Sequence, residues 1–481
     1  MNTSSSKPGV ARRLAPSPEW GSRLFTIGLL LLGAVSSYYV FNASVRSKTH
    51  LLLGIAVMTL SFLPSLLWAK HGKPSLPVFE ALLFTCFNTY ALPLLNGHED
   101  LLRYTEGEVT RATIAVLVYQ AAAIIAYNFV SGPPSSSPFW TKDVISATLN
   151  KWLGYGIGLN TGYIIVSTFT TLIPYSIGSV LRAVFFGIGI ICTFMTSRRL
   201  GLGELGPAER TWFFINLAIQ CVCMMSTLFL VSSISLLLLA LVGYISAGGR
   251  VPVIVTALCL CLLAVLHNGK AAMREKYWEP VRVIPAPTEL PAFYSEWFNH
   301  GLNGEGEPRE NKRMTGKLID RTSLIHILCL VVSNSPDQMP FLNGETYADI
   351  PAQFIPRLFW PNKPPGHVST TRLSVYYGLQ TEEDTQKTTI GFGMVSEAYA
   401  NFGYIGLFVL GILIGFAFKK VHSGASSGPI FSYGGLFTII LLAWCFQVEF
   451  TLSLWLSSLY QATLAVLGIP FLLRNFFSSP P

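Results

Sequence analysis

The chain has 481 residues, of which 51% are hydrophobic and only 12% charged, with a formal net charge of +8. A soluble globular chain carries about 25% charged residues, so a mean hydropathy of +0.49 excludes an ordinary water-soluble enzyme or binding module. Nucleic acid is excluded as a partner too, because the Lys and Arg residues are scattered through short segments between apolar runs instead of clustering with aromatics on one polar domain.

The first 23 residues are polar and basic, with Lys7, Arg12, Arg13 and Arg23, and they lead into an apolar run without a small-residue cleavage motif. They are expected to form a cytoplasmic N-terminal segment before an uncleaved first helix. Apolar runs long enough to cross about 30 Å of hydrocarbon then recur. The predicted spans are 24–43, 51–69, 76–95, 112–131, 154–174, 180–196, 212–231, 233–246 and 251–268, forming an N-terminal transmembrane bundle over 24–268. Seven of the eight cysteines (Cys86, Cys192, Cys221, Cys223, Cys259, Cys261 and Cys445) fall inside apolar runs, where they act as small hydrophobes. With no CxxC or Cys/His spacing, neither a disulfide framework nor a metal–thiolate site is expected.

The stretch 212–246 is almost uninterrupted, and it is either two helices turning near Ser232 and Ser233 or one long tilted helix. Charge arbitrates, since short loops rich in Lys and Arg stay cytoplasmic. Two helices place Lys70 and Lys73, Arg198 and Arg199, Arg250, and Lys419 and Lys420 inside. The acidic loop with Glu99, Asp100, Glu106 and Glu108 then falls outside, and Arg46 and Lys48 are the one violation.

Residues 269–403 differ in kind, because 13 Lys/Arg and 14 Asp/Glu fall between Lys270 and Lys387. They are predicted to form one large external loop between helices 9 and 10. Within it, Leu324 to Val332 is apolar but too short to cross, which suits an interfacial or re-entrant helix. Prolines from Pro351 to Pro365 stiffen the loop. Spans at 404–419, 430–449 and 453–472 complete a C-terminal bundle over 404–472, before a cytoplasmic tail, 473–481. The expected fold is therefore all-α: a polytopic integral membrane protein with about twelve transmembrane helices.

Chemistry is expected in the large loop. Arg357, Lys363 and Arg372 lie close together, interleaved with Trp360 and rigid prolines. Such cations grip a phosphate, Arg through a two-pronged fork and Lys as a point charge; alternatively they reach to lipid headgroups. Glu397 follows, with Tyr399 and Asn401, in a glycine-flanked segment that enters a membrane helix. It is either a general base, if burial or an Arg tunes it, or a helix-start acid complementing the macrodipole. His326, His367 and Glu449 are rival bases by residue type. Glu382, Glu383 and Asp384 read as a solvated charge run, and no metal or other cofactor is expected. Helix interiors are poor in charge, with Glu80, Arg182 and Glu449 near helix ends, which argues against ion-coupled transport.

The GK step at Gly269 and Lys270 with Arg274 beyond, the G-x-T-Y segment Gly344 to Tyr347, IPR-x-x-WP-x-KP over Ile355 to Pro364, and E-x-Y-x-N-F-G-x-x-G over Glu397 to Gly406 together resemble the O-antigen and exopolysaccharide repeat-unit polymerases, the Wzy-type enzymes. The resemblance implies a metal-independent glycosyltransferase of the bacterial cytoplasmic (inner) membrane, joining undecaprenyl-diphosphate-linked oligosaccharides on its outer face. Flippase and chain-length regulator proteins are the implied partners. It further implies diphosphate binding by Arg357 and Arg372, assisted by Lys363 and Arg321, and Glu397 as the base. Trp360, Tyr399, Asn401, Lys270, Arg274 and His367 are the remaining candidates for substrate contact. A polysaccharide ligase using the same donor and a lipid-linked oligosaccharide flippase are the alternatives.

Overall fold

Apolar runs shed their backbone polarity only by hydrogen bonding internally, so in lipid they coil into helices. The computed structural model describes residues 18–71, 76–129, 138–141, 149–173, 175–247, 251–278, 283–303, 323–355, 359–387, 389–425, 429 and 432–468. Among the described residues the regular structure is helical. Among these residues, seven helical segments are long and apolar enough to cross a membrane: Gly21–Asn42, Lys48–Lys70, Val78–Leu95, Glu106–Phe129, Val184–Gly201, Val253–Trp278 and Gly393–Gly424. The protein is thus an all-helical membrane protein.

In chain order the main helices are α1 (Pro18–Asn42), α2 (Lys48–Lys70), α3 (Val78–Leu95), α4 (Glu106–Phe129), α5 (Leu149–Phe169), α6 (Tyr175–Gly201), α7 (Pro207–Met225), α8 (Leu230–Ser246) and α9 (Val253–Trp278). Then come α10 (Leu290–Asn303), α11 (Ile325–Asn334), α12 (Val368–Tyr376), α13 (Gly393–Ala425), α14 (Tyr433–Trp444) and α15 (Leu452–Gly468). Helices lie at the twelve positions expected to span, but α5, α7, α8, α14 and α15 are not among the seven that are long and apolar enough to cross. At 1.5 Å per residue, however, the twelve-residue α14 is only about 18 Å long, short of the hydrocarbon thickness.

Several boundaries differ from the sequence expectation. The 212–246 stretch does break into two helices, but at 226–229, where Leu228 takes a positive φ of 59°, and not at Ser232 and Ser233. Ser233 is inside α8 and donates to the Cys221 carbonyl of α7, tying the pair together. Glu106 and Glu108 belong to the first turn of α4, not to a loop, and Glu108 Oε2 caps that turn by accepting from Thr105 N at 2.7 Å. Helix α9 continues ten residues past 268, and α10 folds back on it. Trp297 donates to Leu266 O at 2.7 Å and Asn268 to Gly301 O at 2.6 Å, which builds a satellite core with Phe293 and Met273.

The main core lies where α2, α3, α4, α11, α13, α14 and α15 meet. Its most extensive pairing is α13 on α4. Close approach is possible because Gly411 and Gly415 face α4: a Cβ at Gly411 would stand 2.6 Å from Tyr119 O, and one at Gly415 would strike Ala123 O. By contrast α1 and the first half of α9 leave most of their apolar side chains exposed, as helix faces against lipid do.

Two helix irregularities position the rest. Pro93 lacks the N–H that would pair with Thr89 O one turn earlier, and α3 loosens into a π-turn over Phe87–Ala91. The freed Thr89 carbonyl accepts from Leu324 N at 2.9 Å, which pins the start of α11. Helix α13 is broken at Phe402 (φ −143°, ψ 16°) and Gly403 (φ 58°, ψ −142°), a conformation that a side chain with Cβ resists. The carbonyls released there are not wasted. Ala400 O and Asn401 O accept from Leu342 N (3.0 Å) and Asn343 N (3.2 Å).

Candidate functional site

The break in α13 delivers a loop to a helix end. Residues 342–343 pair with it, and the following turn, Gly344 to Asp349, becomes the hub of a polar cluster. Asn401, wholly buried, holds this turn from α13: its Oδ1 accepts from Gly344 N at 2.9 Å, and its Nδ2 donates to Thr346 Oγ1 and to Glu397 O, both at 2.8 Å. Ser369, at the start of α12, donates to Thr346 O at 2.7 Å.

Glu397 is also wholly buried. Its Oε2 accepts from Leu452 N, the first residue of α15, at 2.6 Å, and the Thr346 side chain is its other polar neighbour. Its Oε1 has no hydrogen-bond partner among the described residues. Three elements therefore meet at the carboxylate, α13, the 344–349 turn and the start of α15, while α12 braces the turn through Ser369. The helix-start role considered from sequence is realised in a different form, because Glu397 serves the N-terminus of α15 rather than of its own helix.

Arg372 reaches the same turn from α12. Its Nη1 donates to Glu345 O at 2.6 Å, and its Nη2 lies 3.5 Å from Asp349 Oδ2. The first is a hydrogen bond from one of the five guanidinium donors and the second an ion pair, and the side chain remains about a third exposed, with 36% of its surface accessible. Arg372 and Glu397 are thus neighbours through the turn, with no direct contact between them among the interactions described.

The other candidates are distributed more widely. Lys363 is buried and donates to Ile355 O (2.8 Å) and Gln353 O (3.2 Å), which closes the proline-rich loop. Trp360 and His367 are exposed, His367 at the N-cap position of α12. Tyr399 is buried, edge-on to Phe341 and Tyr404. Lys270 and Arg274 lie on α9 by the satellite core; the Arg274 guanidinium covers the Trp278 ring at 4.0 Å and donates to Leu228 O at 3.2 Å. Arg357 and Arg321 lie outside the described residues. Of the rival bases, Glu449 is exposed. His326, on α11, is pushed down to about 4 by burial and by its neighbour His98, so its imidazole is neutral near pH 7.

Sequence reasoning missed Thr346, Asp349 and the Leu452 amide. Thr346 was visible as the third residue of G-x-T-Y, whereas no sequence signal pairs Asp349 with Arg372. A cavity of about 330 Å³ lies elsewhere, between α5, α6 and α7, lined by Tyr155, Arg199, Glu209 and Trp212. Arg199 there is already paired with Glu209 at 3.5 Å and faces Glu204 at 3.8 Å.

Helices of this length and apolarity, with polar groups gathered at a broken helix, define a helical membrane protein with a buried carboxylate, Glu397, at that break. The chain belongs to the family described as a domain of unknown function (DUF8712), whose model matches residues 213–455. That span contains Thr346, Arg372, Glu397, Asn401 and Leu452. No curated protein and no solved structure matches the chain.

Proposed function

We propose that this protein polymerises lipid-linked oligosaccharide repeat units on the outer face of the bacterial cytoplasmic membrane, as a Wzy-type enzyme does. The observation that carries the reading is the Glu397 carboxylate on α13, buried with its Oε1 unpaired among the described residues, beside the turn that Arg372 also grips. Two of the segments that carry the family resemblance, Gly344 to Tyr347 and Glu397 to Gly406, are joined directly by the Asn401 to Thr346 hydrogen bond.

In this reading the acceptor is a sugar hydroxyl at the non-reducing end of an incoming lipid-linked unit. Glu397 Oε1, wholly buried beside the 344–349 turn, takes its proton once that turn has moved aside to admit the hydroxyl, as the oxygen attacks the anomeric carbon of the growing chain. The bond from that carbon to the carrier diphosphate breaks, and undecaprenyl diphosphate leaves with the electron pair. The donors of Arg372 not spent on the turn stabilise the departing charge, with Arg357 as a second cation from the same loop. Such a donor is amphiphilic, so its site belongs where a helix bundle meets the headgroups.

The test is genetic. Deleting the gene should leave single repeat units on the carrier. Polymer of normal length in the deletion strain would overturn the proposal, and carrier-linked polymer that is never transferred would make the protein a ligase.

A further inference from the structure

We propose that His98, Asp100 and His326 form a binding site for one divalent transition-metal ion of the zinc class, independent of the Glu397 cluster. Each of the three residues offers one ligand atom, and these atoms all lie within 4.8 Å of one another. His98 and Asp100 flank the start of a 3-10 turn, Glu99–Arg103, just after α3, and His326 is in the first turn of α11. The two imidazoles lie nearly parallel, with ring centroids 5.0 Å apart and planes 10° from each other.

The donor set selects the ion. Two imidazole nitrogens and one carboxylate oxygen suit zinc, nickel or copper, whereas magnesium and calcium prefer sites built wholly of oxygen. Three protein ligands leave a fourth position for water. Around an ion ~2.1 Å from each ligand, tetrahedral ligand atoms are ~3.4 Å apart. A ring nitrogen binds an ion in its own ring plane, so closing from a spacing of up to 4.8 Å also turns one of the two parallel rings about χ2, a torsion with broad wells.

The surroundings resemble the outer shell that orients metal ligands. His326 Nδ1 is 3.1 Å from Ser323 Oγ, which directs Nε2 outward as the ligand. Asp100 Oδ1 is held at 3.1 Å by Arg103, which leaves Oδ2 facing His98 Nδ1 at 3.8 Å. His98 Nδ1 accepts from Asp100 N at 3.1 Å, and coordination through this atom exchanges that bond for the metal. Both segments are held by their backbones. Arg46 donates to Leu102 O and Tyr104 O, and the Thr89 carbonyl released by Pro93 anchors Leu324. A bound ion would therefore rivet the end of α3 to α11, which packs on α4 and α13.

The experiment uses full-length, untagged protein in lipid nanodiscs, stripped with chelator and then titrated with Zn²⁺ or Mg²⁺, with bound metal and thermal unfolding both measured. We expect a single Zn²⁺ per chain, a higher unfolding temperature with Zn²⁺, and no such response to Mg²⁺. His326→Gln and His98→Gln should each weaken Zn²⁺ binding at least about tenfold, while His71→Gln, at the exposed end of α2, leaves it unchanged. If either histidine variant melts low without metal, Asp100→Asn, at a half-exposed position, decides by the same readout. Absence of saturable Zn²⁺ binding, equal binding of Mg²⁺, or full Zn²⁺ affinity in the folded variants would each overturn the proposal.

Discussion

Replacing Glu397 by Gln separates what the carboxylate does for the fold from what it does for chemistry. The side chain keeps its shape and still offers an oxygen to Leu452 N, now a neutral acceptor in place of a charged one. A hydrogen bond to a charged group is worth about 1.5–3 kcal/mol and a neutral one about 0.5–1.5, so roughly 1 kcal/mol is lost. Against that, the substitution removes a buried charge, a relief partly offset by the amide NH2 it puts where Oε1 has no partner among the described residues. The net change in stability should be within about 1 kcal/mol. Glu397→Leu instead leaves the Leu452 N–H without its acceptor and should cost about 1–3 kcal/mol. Thermal unfolding in detergent reads the first effect, and the glycan ladder made by complemented deletion cells reads the second. Loss of a general base predicts a rate reduced by about 10²–10⁴ in a well-folded Gln variant. A Gln variant that is folded and polymerises at the wild-type rate refutes the assignment, and one that melts as low as the Leu variant refutes the accounting of the carboxylate's environment.

Arg372→Lys keeps a positive charge but cannot span Glu345 O and Asp349 together, so polymer yield should fall while expression holds; a normal ladder would reduce Arg372 to a charge anchor. Gly415→Val drives a side chain into Ala123 O and should destabilise the α4–α13 pairing by about 1–3 kcal/mol or more, seen as a lowered unfolding midpoint. Gly403→Ala, at φ 58° and ψ −142°, should cost about 1–3 kcal/mol in the same assay; an unchanged midpoint would show that the break in α13 relaxes. His367→Cys, exposed ahead of α12, should react with a membrane-impermeant maleimide added outside intact spheroplasts. Labelling only from the cytosolic side would put the turn across the membrane from exported saccharides.

Helix positions were legible because each is written in a run of adjacent apolar residues, a signal local to the sequence. Their ends were not. The first turn of α4 is polar because Thr105 and Glu108 cap it, and the last ten residues of α9 are polar because only one side of them packs on α10. Nor does apolarity alone locate a turn: the break between α7 and α8 falls at Leu228 in the middle of a hydrophobic run, while Ser232 and Ser233 continue the helix. Within the site, Glu397, Asn401 and Arg372 were visible as unusual residue types near a membrane helix. Their partners were not visible, because Leu452 contributes a backbone amide, Glu345 a carbonyl, and Asp349 one acid among many.

The interrupted helix α13 has a mechanical consequence. Its two released carbonyls are bonded to successive amides of residues 342 and 343, so the turn that follows is clasped to the N-terminal piece of the helix by main chain, whatever side chains occupy those positions. The C-terminal piece packs on α4 and leaves apolar side chains exposed, and it joins the N-terminal piece through the dihedrals of Phe402 and Gly403 and the edge-on Tyr399–Tyr404 rings. The spacing of Glu397 from Thr346 is thereby set by main-chain bonds as well as by the Asn401 side chain.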